Sequence, residues 1–288
     1  MYRYSVSSYS FEQAIRAGKM TQFDCIAKAK EMGFDAIEFT EIAGGDYSEQ
    51  CENARRYRAE AARVGLAISS YVVTAALCRE TDEAVAAEVA RLKKEVDLCA
   101  LLGAGIFRHD VCGALGKHGR MRSFDAMLPT IAAAAREVTT YAAGLGIRTC
   151  TENHGYIAQD SDRVERLFNA VAHDNYGLLV DVGNFICADE DPLRAVSRVA
   201  PYAIHAHVKD MVLGERAAGS GCFTRAGVPF CGAVVGEGDV PVAACLRALH
   251  HAGYTDGYIT LEYEASEECL SGIARGFENL RRMTAALN

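Results

Sequence analysis

The stretch Ile204-His205-Ala206-His207-Val208-Lys209-Asp210 decides how the rest of the chain is read. In an extended strand successive side chains alternate between faces, so His205, His207 and Lys209 point one way and Ile204, Ala206 and Val208 the other. A strand covered on both sides wants both faces apolar, so two imidazoles and an ammonium need a polar cavity to point into. A solvated edge strand would show the same alternation. Against it stand three other strand-like runs: Arg148-Thr149-Cys150-Thr151-Glu152-Asn153-His154, Gly177-Leu178-Leu179-Val180-Asp181-Val182-Gly183-Asn184 and Tyr258-Ile259-Thr260-Leu261-Glu262-Tyr263-Glu264. Each delivers a carboxylate after an apolar approach.

Outward from these runs the chain alternates between two periods. Strands are expected at 3–7, 36–40, 66–73 and 106–110, then from Ile147, at 176–182, at the opening stretch and after Gly257. Helices fill the intervals. The longest, Asp82 to Leu102, carries Val85, Val89, Leu92, Val96 and Cys99 at the three-and-four spacing of one buried face. Gly33, Gly65 and Gly103 stop helices, Thr21 to Asp24 has capping-box spacing, and Asp239-Val240-Pro241 opens the helix to His250. Eight strand–helix pairs in strict alternation predict a single-domain (β/α)8 barrel over residues 1–288, about the size such barrels have. A doubly wound sheet would need a phosphate-binding fingerprint, and Gly103-Ala104-Gly105 precedes a strand where it should follow one. The glycine-rich segment 211–239 is expected to be a long mobile loop over the active-site face.

Composition narrows the function. Half of the 288 residues are hydrophobic, the net charge is −8, and Lys and Arg are scattered, which excludes a nucleic-acid surface but not a small substrate. Nothing approaches the roughly 18 consecutive apolar residues of a membrane span, and the start lacks a signal region, so a soluble cytoplasmic protein is expected. Of the eleven cysteines the closest pair, Cys222 and Cys231, are nine apart, so they are expected to be reduced core thiols.

In a parallel barrel the carboxyl ends of the strands form the active-site face, so Glu152, Asp181, His207 and Glu262 should converge from four consecutive strands. Three carboxylates left together would repel one another, and a divalent cation is the natural neutraliser. This donor set suits one Mn2+, the first choice, and also accommodates Mg2+, Co2+ or Zn2+. Such an ion holding a carbonyl and a neighbouring hydroxyl stabilises an enediolate, so two carboxylates on opposite sides of the adjacent carbon suffice for epimerisation. His154 shares a strand face with Glu152 and can polarise a hydroxyl or protonate a leaving group. Glu38, His109, His205 and Lys209 are the other candidates for lining the pocket.

Thr151-Glu152-Asn153-His154-Gly155, Asp181-Val182-Gly183-Asn184, the opening stretch through Asp210, and Thr260-Leu261-Glu262-Tyr263-Glu264 resemble the signature strands of the xylose-isomerase-like barrels, the sugar phosphate isomerase/epimerase group. Tyr4-Ser5-Val6-Ser7-Ser8 and Gly33-Phe34-Asp35-Ala36-Ile37-Glu38 extend the resemblance over the whole chain. It implies one metal on Glu152, Asp181, His207 and Glu262, an isomerase or epimerase acting on a sugar, keto-sugar or polyol as a hydroxy-ketone, and proton transfer by Glu152 and Glu262. Many members carry His three residues after the aspartate where this chain has Asn184, which can bond a sugar oxygen but cannot carry a proton at neutral pH. A lyase or dehydratase using His154 as an extra acid is the alternative reaction. A partner-dependent metal-binding subunit is the alternative class. A DNA-repair endonuclease would need clustered metals and a phosphate surface that the histidine count and acidic balance do not supply. Homo-oligomerisation is left open.

Overall fold

The computed structural model describes residues 2–116, 118–285 and 287. Eight parallel strands close into a barrel: β1 (Arg3–Ser7), β2 (Ala36–Thr40), β3 (Ala67–Val73), β4 (Ile106–His109), β5 (Arg148–Glu152), β6 (Tyr176–Asp181), β7 (Ala203–Val208) and, after an insertion, β11 (Tyr258–Leu261). β11 closes the barrel between β7 and β1. The helices lie outside, starting on side-chain caps where the sequence offers them: Asp46, Thr81, Ser123, Asp160 and Asp191 each accept a backbone N–H three residues on. Gly65 and Gly103 take positive φ at two helix ends, the left-handed conformation that favours glycine.

The helix–sheet layer is apolar. Phe39, Leu92, Val96, Phe107, Ile131 and Leu167 are among its fully buried side chains, each contributing about 1.5–3 kcal/mol by leaving water. Inside the barrel Val72, Cys150 and Leu179 form a small apolar cluster, with Ile106 and Ile204 packed against it. Ile204 was expected opposite His205, but the register with β6 shifts at Leu178/Leu179, and the irregularity turns Ile204 inward. Ala206 and Val208 join the outer core as the alternation predicts.

Three expectations need correction. Segment 211–239 is not a structureless loop: β8 (Asp210–Leu213), β9 (Cys222–Phe223) and β10 (Pro229–Ala233) form an antiparallel sheet in the order β8-β10-β9. Asp239 does not cap the next helix; it accepts from the Leu213 N–H and pairs with Arg216. Not all cysteines are free thiols, for Cys78 and Cys112 form a disulfide. The loops after β3 and β4 run side by side, with the Leu77 and Cys78 N–H groups donating to the Val111 carbonyl, so two cysteines 34 residues apart become neighbours. Among the described residues no helix is long and apolar enough to cross a membrane.

Candidate metal centre and its surroundings

β5, β6, β7 and β11 are consecutive around the barrel, and each ends in one member of a cluster. One donor atom from each of Glu152, Asp181, His207 and Glu262 lies within 4.8 Å of the others, and all four residues are buried. Asp181 is held rigidly. Asn153 bonds both its backbone N–H and its carbonyl at 2.9 Å, and its Oδ1 accepts from the Gly183 and Asn184 N–H groups at 2.7 and 3.0 Å. Its Oδ2 is buried without a hydrogen bond. His207 is equally fixed: Nε2–H donates to Glu38 Oε2 at 2.9 Å, while Nδ1 has no hydrogen bond and stands 3.8–3.9 Å from carboxylates of Glu152, Asp181 and Glu262.

Two buried donor atoms without hydrogen bonds, 3.9 Å apart and beside two further carboxylates, fit a divalent cation. The titration behaviour agrees. Burial pushes the Asp181 carboxyl up to about 7, with Lys209 opposing the rise and Glu152 and Glu262 adding to it. Burial would lower His207, but Glu38 and the carboxylates around it outweigh burial and raise it to about 10. That rise reports the negative charge gathered around the ring, which a bound cation would neutralise.

Two side chains bring positive charge to the rim. Arg108 lies 2.6 Å from Glu152 and 2.8 Å from Asp110, and donates to the Val73 carbonyl. Lys209 Nζ lies 2.5 Å from Glu262, 3.1 Å from Glu264 and 3.4 Å from Asp181. Burial would raise the Glu152 pKa, but Arg108 and then His207 hold it below the ordinary carboxylate range. Burial would likewise lower Lys209, and the carboxylates around it hold it well above its usual value.

The candidate substrate residues separate into three positions. Lys209 and His154 line a cavity of about 430 Å³ above the cluster, and His154 Nδ1 stands 3.0 Å from Asp110 Oδ1. Asn184 lies behind Glu152, donating from Nδ2 to its Oε1 at 2.7 Å. Glu38 and His205 lie beneath the cluster, outside the cavity, where Glu38 Oε2 also accepts from Ser70 and stands 3.1 Å from His205 Nε2. Burial would raise Glu38, yet the two imidazoles hold it well below the usual range. Glu38 therefore fixes the ring nitrogen that His207 presents to the cluster. His109 points the other way, toward the helices, packed on Phe107 with its Nδ1–H donating to the Asp110 carbonyl, and burial lowers it to about 4.

Sequence reasoning chose His109 and passed over Arg108 and Asp110. Alternation would have found them: Phe107 and His109 share a parity, and Phe107 is the apolar, helix-facing member, so Arg108 must face the interior. Glu264, which meets Lys209 at the rim, lies two residues after Glu262 and was legible in the same way.

Residues 26–283 match the family model described as a xylose isomerase-like TIM barrel. Among solved structures, the chain is similar to a xylose isomerase-like TIM barrel protein from Mycobacterium smegmatis in complex with magnesium, at 23% identity and TM-score 0.71, covering 100% of this chain and 98% of that one. A D-allulose 3-epimerase from Methylomonas sp. superposes with TM-score 0.71 at 17% identity, covering 98% of each chain. A probable 3-DHS dehydratase from Bacillus anthracis does so with TM-score 0.73 at 16% identity, covering 97% of this chain and 98% of that one. No curated protein sequence matches. With the family model spanning nearly all of a closed eight-stranded barrel, the chain belongs to the xylose isomerase-like TIM barrel family.

Proposed function

We propose that this protein is a divalent-metal-dependent sugar isomerase or epimerase that moves a proton on the carbon next to a carbonyl. The observation that carries this reading is the placement of Glu152 and Glu262 on strands three apart around the barrel, their donor atoms within 4.8 Å of those of Asp181 and His207. Glu152, Asp181, His207 and Glu262 would hold the ion, Mn2+ by preference. Bound there, the ion supplies the positive charge that draws electrons from a substrate carbonyl and acidifies the adjacent C–H. Glu152, kept ionised by Arg108, is placed to take a proton from one face of that carbon. Glu262, with Lys209 donating to it, is placed to return one on the other face. Positioned proton transfer of this kind contributes typically about 10²- to 10⁴-fold in rate. The D-allulose 3-epimerase among the structural neighbours supports the same class of substrate.

A second reading rests on the His154–Asp110 contact at the cavity wall, where an imidazole backed by a carboxylate can protonate a departing hydroxyl. Burial would lower His154, but Asp110 raises it above its ordinary value, so the proton is held where a leaving group would need it. That arrangement suits a lyase or dehydratase, and a probable dehydratase is among the neighbours.

One experiment separates these readings. Keto-sugars incubated with Mn2+-loaded enzyme in deuterated water should acquire deuterium beside the carbonyl while keeping all their oxygens, followed by proton NMR and mass. Loss of water with a conjugated-enone absorbance would favour the lyase. Turnover without any solvent hydrogen would defeat proton transfer, and metal binding with no exchange on any sugar would favour a partner-dependent subunit.

A further inference from the structure

The cavity above the carboxylate cluster does not end there. A second chamber of about 770 Å³ lies beside it, between the segment after β1, the inserted sheet and the end of β11. Tyr9, Glu12, Arg16 and Glu264 border both spaces, so the two are one continuous cleft. Its far wall is seated on the barrel. Gly232 of β10 bridges to Ala265, and a Cβ added at Gly232 would meet the Glu264 carbonyl oxygen at 2.5 Å, so only glycine allows the sheet to lie this close.

Size and chemistry together indicate the occupant. The inner space alone is within the usual range of about 300–1,000 Å³ for a small-molecule site, so one sugar ring leaves the outer chamber unused. Tyr9, 41% exposed, and the half-buried Phe230 offer aromatic faces there, with Glu264 and Ser266 beside them. A sugar ring rests its C–H face on an aromatic ring and directs hydroxyls to carboxylates and hydroxyls. A phosphate would want unpaired cations, yet Arg16 is paired with Glu12 and Arg216 with Asp239. Lys209, on the wall of the inner space, is held by carboxylates.

We propose that the substrate is an unphosphorylated two-ring glycoside, its keto-sugar ring at the carboxylate cluster and its second, neutral ring in the outer chamber. This rests on the sugar isomerase/epimerase reading for the inner ring and adds what the outer chamber selects.

The test compares binding of matched probes to the metal-loaded full chain by calorimetry: D-fructose, its glycosylated forms turanose, lactulose and isomaltulose, and fructose 6-phosphate. At least one keto-disaccharide should bind tenfold or more tighter than fructose, and fructose 6-phosphate should bind no tighter than fructose. Ala218→Trp, an exposed position that fills the chamber, and Phe230→Ala, which removes an aromatic face, should each shrink the disaccharide-to-fructose affinity ratio several-fold. Equal affinity for one and two rings, a preference for the phosphate, or a ratio unchanged in both variants overturns the proposal. Deuterium exchange measured on the same samples keeps the two claims apart. A disaccharide preference without exchange leaves the chamber assignment standing and removes the isomerase reading, whereas exchange on fructose with no gain from a second ring removes the chamber assignment alone.

Discussion

The two sides of the barrel mouth solve the same electrostatic problem differently. On the β5 side Glu152 meets Arg108, itself fixed by Asp110 and the Val73 carbonyl, with Asn184 bonding the other carboxylate oxygen. Every group there is buried or tied. On the β11 side Glu262 meets Lys209, a buried point charge shared among three carboxylates, and the space beyond opens into the outer chamber. A guanidinium is always charged and its planar fork fixes direction; an ammonium turns freely among acceptors. The β5 side is thus built to hold one glutamate in one state, and the β11 side to adjust as substrate arrives.

Removing each cation should expose that difference most strongly. Arg108→Met leaves the buried Glu152 without its closest cation and Asp110 with His154 alone, and is expected to cost about 3–5 kcal/mol of stability. Adding Mn2+ should recover only part of it, because Asp110 is not among the clustered donors. Lys209→Met should cost less and be recovered almost fully by Mn2+. Thermal unfolding of both variants with and without the ion checks this, and equal recovery would erase the distinction between the two sides.

A smaller effect is expected beneath the cluster. Glu38→Gln keeps shape but removes the anion that accepts from His207 Nε2–H, and should weaken metal binding about 10- to 100-fold while the fold persists. Calorimetry with Mn2+ measures it; unchanged affinity would show that the imidazole needs no such anchor. The most local effect belongs to the insertion on the β11 side. Asp210 accepts backbone N–H groups from Met211, Gly236, Gly238 and Val240, tying both ends of the inserted sheet to one carboxylate. Asp210→Asn turns an acceptor into a donor against those N–H groups and should cost about 1–3 kcal/mol. Hydrogen exchange should quicken in residues 210–240 and not in β5 or β6, and uniform quickening would contradict a local clamp.

How much of this was legible in the sequence depends on which rule each residue obeys. The barrel follows from alternating periods, and the convergence of Glu152, Asp181, His207 and Glu262 follows from fold geometry once each is seen at a strand end. Arg108 and Asp110 obeyed the same alternation but were masked by the more conspicuous His109 between them. Glu38 and His205 also face inward as expected, yet depth along the strand separates a residue that lines the cavity from one that orients His207 beneath it. Such depth is set by register, and the register shifts at Ile37/Glu38 and Leu178/Leu179 have no sequence signature. The inserted sheet escaped notice because its two- to five-residue strands are too short for periodicity to register. The Cys78–Cys112 bond depends on two loops meeting, which spacing alone does not report.

The central claim is that the four strand-end side chains form one metal site, and direct titration tests it. Wild-type protein stripped of metal should take up one equivalent of Mn2+ per chain, with Asp181→Asn and His207→Ala each weakening that binding at least 100-fold while leaving circular dichroism unchanged. Equal uptake by the wild type and both folded variants would contradict the account.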